Sequence, residues 1–532
     1  MAQPPFFSRP TGIYSLPVEL LTRIFVLASA SDYPYADSPF LLKPDQEYEP
    51  PSSSNLQVVV SHVSRSWRQV ALRTHSLWTT LHFRETCHIS RAEAYLARCL
   101  PSTTCLLDIL VDTIAEEDHT PGITLYTDEI KAIFQIIIPH VSRWHAFHLK
   151  ICDNKCKGQA RQFLSTCGPA PNLETLQLYH FEDYRTSQRL YLATYRPPVV
   201  VFSNSLPCLK NVSLIGVNLP WADSPYLVNL HHLELALHLD NIRPPYKWWD
   251  RMLRFSPDLK RLSLHYSGPR KATGDPTFVW PRSDTEDKIQ LDSLWELSLT
   301  DLDSDYLCNL FQHLILPAVK TIILDLPEQN FTPFIEMIAT GGQPSPLSSN
   351  CPIPSLAILD TLIIHALDCS PDSWRTLLRG LKGLRIFDVD FTRVGSKFWD
   401  VFNDGDISQE EGRASSTHDD PIDDNFDVLL PSLEVFKIAG ISGKNIICAI
   451  RHRRKFLREG KSLPERWIVK WNERRRNKDA ELDSLIDDGC WVSNGTRVTV
   501  ETFDEEDEEV EDIDEGRTNG DENVDVDGET AE

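Results

Sequence analysis

No stretch of this 532-residue chain approaches the roughly 20 consecutive apolar residues needed to cross a bilayer, so a membrane-spanning helix is not expected. The opening residues, MAQPPFFSRPTG, break at proline and turn polar at once, so no secretory leader is expected either. The 12 cysteines are scattered through apolar context rather than set in a short framework, which fits reduced thiols in cytoplasm or nucleus. Catalytic signatures are also missing: there is no nucleophile elbow, phosphate loop or HExxH motif. His145, His148, Cys152 and Cys156 have a spacing reminiscent of a zinc site. The two histidines, however, lie in one strand-like segment and project to different faces. An enzyme is therefore not expected, and no cofactor or metal is implied. A surplus of basic charge is lacking too, since the net charge of −24 argues against general affinity for nucleic acid. More than half of that excess sits in one tail: Asp504 to Glu532 hold 16 acidic residues and Arg517 alone on the other side, a balance of −15. The body is only mildly acidic, and its 41% hydrophobic residues suffice to bury a core.

What is present is most specific near the N-terminus. Leu16-Pro17, then Leu20, Leu21, Ile24, Phe25 and Leu27, form an apolar stripe at helical spacing. Pro17 suits a first helical turn, where its missing N–H would be unpaired anyway, and Ser15 is placed to cap it. A second helix carries Val60, Val63, Trp67, Val70 and Ala71 on one face and Arg65 and Arg68 on the other. Two or three short helices cannot make a stable domain alone, so this much apolar surface predicts a partner protein.

These two halves in order, LPVELLTRIF and VSRSWRQVA, followed by Leu77-Trp78, resemble the F-box. Leu16, Pro17, Glu19, Leu20, Leu21, Ile24 and Phe25 match its first half, and Val63, Ser64, Arg65, Trp67, Arg68, Val70 and Ala71 its second. The departure is residues 31–55, rich in Pro, Ser and acidic groups, which stand where a few residues usually join the helices and read as a loop. Long insertions of this kind are common in fungal F-box proteins. A flexible insertion costs little, because loop-closure entropy grows only logarithmically. The resemblance implies a non-catalytic substrate-recognition subunit of a Skp–cullin–F-box ubiquitin ligase. Leu16, Pro17, Leu20, Ile24, Val63 and Trp67 would then contact the Skp adaptor, which links the chain to cullin and RING protein.

The middle of the chain repeats L-x-x-L-x-L, with apolar substitutes, from Trp144, Leu173, Leu209, Leu230, Leu259, Leu294, Val319, Leu359, Leu384 and Leu433. The intervals run from 21 to 49 residues, and a proline often precedes. The pattern resembles a leucine-rich-repeat solenoid, each strand returning by helix or loop. The positions where such repeats place Asn or Cys hold other residues, among them Val217, His238, Ser267 and Thr392, so the coil is expected to be irregular. A βα sheet of non-repeat type is the alternative. The expected class is thus α/β: an F-box at 12–80, a linker and cap at 81–143, the repeat-like domain at 144–450, a basic segment at 451–500 and a disordered acidic tail at 501–532. Three Pro/Gly- or acid-rich stretches, 268–289, 340–354 and 403–427, read as surface excursions.

By register, the residues between the leucines would line one face and form the surface for a protein target: Gln177, Tyr179, Ser213, Glu234, Ser263, His265, Ser298, Thr300, Asp325, His365, Asp388 and Asp390. Their mixture names no particular ligand. The basic run 451–478 has 12 Lys or Arg in 28 residues with Phe456, Trp467 and Trp471 interleaved. It reads either as a charged helical pair beyond the last repeat or as a phosphate-contacting or nuclear-localisation segment. Two alternatives to the ligase role stay open: an F-box scaffold outside a ligase, and a nuclear, nucleic-acid-associated protein using that run.

Overall fold

The computed structural model describes residues 13, 16–31, 38–43, 55–99, 104–180, 198–271, 280–281, 288–340, 356–394, 397–404, 429–440, 442–443, 445–446, 449, 466–472, 491–493 and 496–503. Helix α1 (Val18–Ser31) begins directly after Pro17, whose carbonyl accepts the Leu21 N–H at 3.1 Å. Ser15, the expected cap, lies outside the described residues. Helices α2 (Leu56–Val63) and α3 (Arg65–Arg73) are separated by Ser64, whose extended backbone breaks the helix and whose hydroxyl accepts the Trp67 N–H at 3.1 Å. Leu21, Phe25, Val60, Val70 and Ala71 are buried, and the Phe25 and Trp67 rings meet at 5.0 Å.

Trp78, in the short turn His75–Trp78, ties these helices to the rest. It is fully buried, its Nε1 donates to the Ala71 carbonyl at 2.9 Å, and its ring meets the edge of Tyr95 at 5.1 Å. The Arg98 guanidinium covers the same ring at 4.2 Å. Tyr95 and Arg98 belong to α4 (Cys87–Cys99), so one apolar cluster runs from α1 into the sheet without a break.

That sheet holds 15 strands, and their spatial order follows the chain up to the last pair. It begins with β1 (Thr80–Phe83), β2 (Leu107–Asp112), β3 (Trp144–Ile151), β4 (Thr175–His180), β5 (Asn211–Ile215), β6 (His232–Ala236) and β7 (Arg261–His265). It continues through Glu296–Thr300, Thr321–Asn330, Thr361–Asp368, Ile386–Asp390, Val435–Ala439, Arg466–Asn472 and Thr496–Phe503. Among the described residues these strands pair in parallel, and only Trp491–Ser493, at the edge of this sheet, is antiparallel. The recurring leucines explain the strands. Leu173, Leu176 and Leu178 are buried, as are Leu259, Leu262 and Leu264 or Leu384, Phe387 and Val389 in later strands. The residue after each leading leucine starts a backbone ladder that crosses strands, Glu174 to His145, Lys210 to Glu174, His231 to Lys210 and onward to Glu434 on Arg385. Helices α5 (Thr127–Ile137) and α6 (Asn154–Thr166), with Tyr246–Arg254, Ser304–Gln312, Thr332–Thr340, Pro371–Gly380 and Lys397–Asp404, return the chain between strands.

The described residues thus establish a mixed helix-and-strand chain with one large parallel sheet behind an N-terminal helical region. They do not establish the leucine-rich-repeat solenoid expected from the sequence. The return from β5 to β6 holds only the short turn Trp221–Asp223, whereas the next, from β6 to β7, holds the helix Tyr246–Arg254, so no single repeat unit recurs among the described residues. The missing asparagine positions are filled individually: His238 is buried and its Nε2 bonds the Val217 carbonyl at 3.0 Å, while Nδ1 bonds Ser267 Oγ at 2.7 Å.

Other expectations shift as well. In the basic run, Arg466–Asn472 is a strand paired to Val435–Ala439 and not part of a charged helical pair; residues 451–465 and 473–478 lie outside the described residues. The acidic tail cannot start at 501, since the strand ends at Phe503; residues 504–532 are outside the described set. In the first excursion Trp280 is buried, 5.3 Å from Tyr246 and 5.7 Å from Tyr306, so that stretch is not wholly at the surface. Residues 341–354 and 405–427 of the other two are not described.

The residue just past a strand repeatedly takes a left-handed conformation: Gly216, Leu237, Tyr266, Asp301 and Gly440. At Gly440 (φ +72°) an added Cβ would also meet the Thr392 backbone nitrogen at 2.6 Å, and backbone cannot move aside as a flexible side chain could. Gly440→Ala should therefore cost about 1–3 kcal/mol in urea unfolding. An unchanged midpoint would show that this turn adapts.

Candidate functional site

Two surfaces stand out. The first is on the N-terminal helices. Leu20, Ile24 and Leu27 follow Pro17 at helical spacing and are all exposed, whereas Leu21 and Phe25, one step round α1, are buried. Exposure of Leu20 is 49% and of Leu27 59%, high values for aliphatic side chains in a packed domain. On α2, Val58, Val59 and Val63 are exposed as well. Of the six residues expected at the adaptor contact, Pro17, Leu20, Ile24 and Val63 are thus free, while Leu16 and Trp67 are half-buried. Trp67 packs on Phe25, so part of its surface holds the helices together. Val18, Leu27, Val58 and Val59 were not among the expected contact residues. Their periodicity alone could not separate a core face from an outer one.

The second surface is the sheet face opposite the buried leucines. Strand register lines up His82, Leu110, His148, Gln177, Ser213, Glu234, Ser263 and Ser298 across β1 to β7 and the strand beyond. The row continues through Ile323 and Ile363 to Asp388. A neighbouring row carries Tyr179, Ile215, Ala236, His265, Thr300 and Asp325. Asp390 lies one position along its strand, paired with Ala439. His365 is the exception: it is skipped at a bulge, where Asp325 pairs with Ala366, and it is exposed. Gln177 and Asp388 are seven strands apart, about 34 Å at the usual strand spacing. The predicted residues therefore form a strip and not one pocket.

Near Gln177 the face is already covered. Residues 38–43, from the insertion between α1 and α2, lie across it. Leu41 and Leu42 are only 6% and 3% exposed and cluster with Leu110, Tyr179, Ile215 and Ala236, apart from the main core. Gln177 Oε1 accepts the backbone N–H groups of Leu41 (3.1 Å) and Leu42 (2.9 Å), and its Nε2 donates to the Leu42 carbonyl at 2.6 Å. The same amide bonds His148 Nδ1 (2.9 Å) and Ser213 Oγ (3.2 Å), and Ser213 in turn donates to Glu234. Burial pushes His148 down to about 4, so the ring is neutral and can offer Nδ1–H to the amide oxygen. Burial, then the charge of a protonated His148, pushes His82 down to about 3.

The histidines and cysteines with zinc-like spacing are not brought together. His145 Nδ1 meets Asp108 Oδ1 at 2.9 Å, His148 meets Gln177, and Cys156 is buried in α6. Among the described residues the donor atoms of Glu85, Cys87 and His88 do lie close together, but His88 Nδ1 already accepts the Arg84 and Glu85 backbone N–H groups. No described helix is long and apolar enough to cross a membrane.

A search of curated proteins gave no match to this chain. Residues 13–84, which contain α1 to α3, the exposed stripe and Trp78, match the family model described as F-box-like. The chain accordingly carries an F-box-like domain in that N-terminal region.

Proposed function

We propose that the chain is the substrate-recognition subunit of a Skp–cullin–F-box ubiquitin ligase, its helices α1 to α3 docking on the Skp adaptor and its sheet face receiving a protein target. The observation that carries the adaptor half is the solvent-exposed apolar stripe of Pro17, Leu20, Ile24 and Leu27 inside the F-box-like region. F-box domains in general bind such adaptors, and burying each large side chain would contribute roughly 1.5–3 kcal/mol. The receptor itself needs no covalent chemistry. By holding a target near the charged conjugating enzyme it raises the local concentration of acceptor lysines. The continuous core through Trp78 supports this role, because it fixes the helices relative to the sheet.

The test is affinity purification of the intact chain and of Leu20→Asp/Ile24→Asp. The adaptor should accompany the wild type and fall at least tenfold in the variant, with urea unfolding unchanged because neither side chain is in the core. Absence of the adaptor from the wild type, or its undiminished recovery with the variant, would overturn the assignment. Adaptor without cullin would instead make the chain a scaffold outside a ligase.

A further inference from the structure

The insertion does more than connect two helices. From Ser31 to Leu56 it need span only the gap between two packed helices, for which a handful of residues suffice, yet its residues 38–43 reach a face formed by β2, β4, β5 and β6. There the fully buried Gln177 amide engages two consecutive N–H groups and a carbonyl. An extended polypeptide main chain offers that pattern of donors and acceptor at consecutive residues. Beside it, Leu110, Tyr179, Ile215 and Ala236 take the two leucine side chains. Without the segment these groups would form an apolar patch around a polar clamp, open on the face that carries Ser213, Glu234 and Ser263.

We infer that this is a peptide-binding site held shut by the chain's own insertion, and that its partner is an extended segment presenting two adjacent aliphatic residues in the manner of Leu41-Leu42. This rests on the proposed reading that the sheet face receives a target, and it names the chemistry of that target. Because the insertion is tethered at both ends, it competes at a high effective concentration, so a target must displace it or meet the protein with the segment released. Gln177 supplies the affinity for main chain, and the apolar cluster supplies the selection for aliphatic side chains.

The test uses the full chain and a fluorescein-labelled peptide, Ser-Pro-Phe-Leu-Leu-Lys, read by fluorescence anisotropy. Leu41→Ser/Leu42→Ser in the protein should free the site and bind the peptide at least tenfold more tightly than wild type. Adding Gln177→Leu should remove that gain, and a peptide with serine in place of both leucines should not bind. Should the double variant not fold, replacement of residues 38–43 by alternating Gly and Ser provides the same comparison. A freed protein with wild-type circular dichroism that binds no better than wild type would overturn the inference, as would a gain that survives Gln177→Leu. Misfolding of both variants would make the segment a core element and overturn it too. Adaptor co-purification, read on the same proteins, separates the two ideas: its loss in wild type strikes the ligase reading alone, and peptide binding strikes or supports only the site.

Discussion

Replacing Trp144 with alanine should lower the stability of the protein by about 3–5 kcal/mol, a large part of what a domain normally has. Trp144 is fully buried where the first repeated motif begins. Its ring stacks on Phe147 at 4.7 Å and meets Phe202 edge-on at 5.7 Å, while Nε1 donates to the Ile137 carbonyl at 3.1 Å. Truncation would therefore remove apolar contact from α5, β3 and the turn at Phe202 together, and leave a buried carbonyl without its donor. Trp144→Phe keeps most of the packing but not the N–H, and should cost distinctly less. Urea unfolding followed by circular dichroism measures both. A loss below 1 kcal/mol for the alanine variant would mean that the cluster collapses to fill the space.

Stability should also fall as pH drops from 7.5 to 5, with buried histidines responsible. His82 and His148 are held neutral by burial, at about 3 and about 4. Each has the ordinary value of 6.5 when unfolded, so between pH 6.5 and the folded value the unfolded chain binds the extra proton. The stability is complete above pH 6.5 and is lost as pH falls toward 4. At pH 5 each group would contribute a loss of roughly 2 kcal/mol. Asp108 opposes the shift at both sites, and Arg84 and Arg91 reinforce it at His82. His145 acts with opposite sign: hydrogen bonding to Asp108 raises it, so its contribution is present at low pH and fades as pH rises through its folded value. At 40% side-chain exposure that contribution is small. His148→Gln retains a donor for Gln177 but cannot titrate, and should remove its own share, roughly 2 kcal/mol, from the loss between pH 7.5 and 5, while His82 and His232, the latter also pushed down to about 4 by burial, keep theirs. Equal slopes for variant and wild type would assign the effect elsewhere.

The legibility of the chain divides along the range of the interactions. The motif halves around Leu20 and Trp67 and the recurring leucines were readable because helix and strand periodicities are local. Register followed from them: a period of two forces Gln177, Ser213 and Glu234 to the same side once Leu176, Val212 and Leu233 are buried. Which face of α1 stays open was not readable, because Leu20 and Leu21 are equally apolar and only the packing of Phe25 on Trp67 separates them. Nor did the regular repeat survive, since returns of unequal length closed each crossing differently. The insertion is the largest discrepancy. Its prolines and acidic residues mark it as loop, and the short apolar run Phe40-Leu41-Leu42 inside it signals burial without naming the face that receives it.

By itself, then, the sequence determined the F-box-like helices, the strands that carry the recurring leucines and the side of the sheet on which most of their residues stand. Those follow from propensity and periodicity over a few neighbours. The tertiary structure alone decided that Leu41 and Leu42 cover Gln177, 135 residues away along the chain for the Leu42 contact. Such a contact depends on loop closure and on the shape of a face assembled from four separate strands, and no local pattern encodes it.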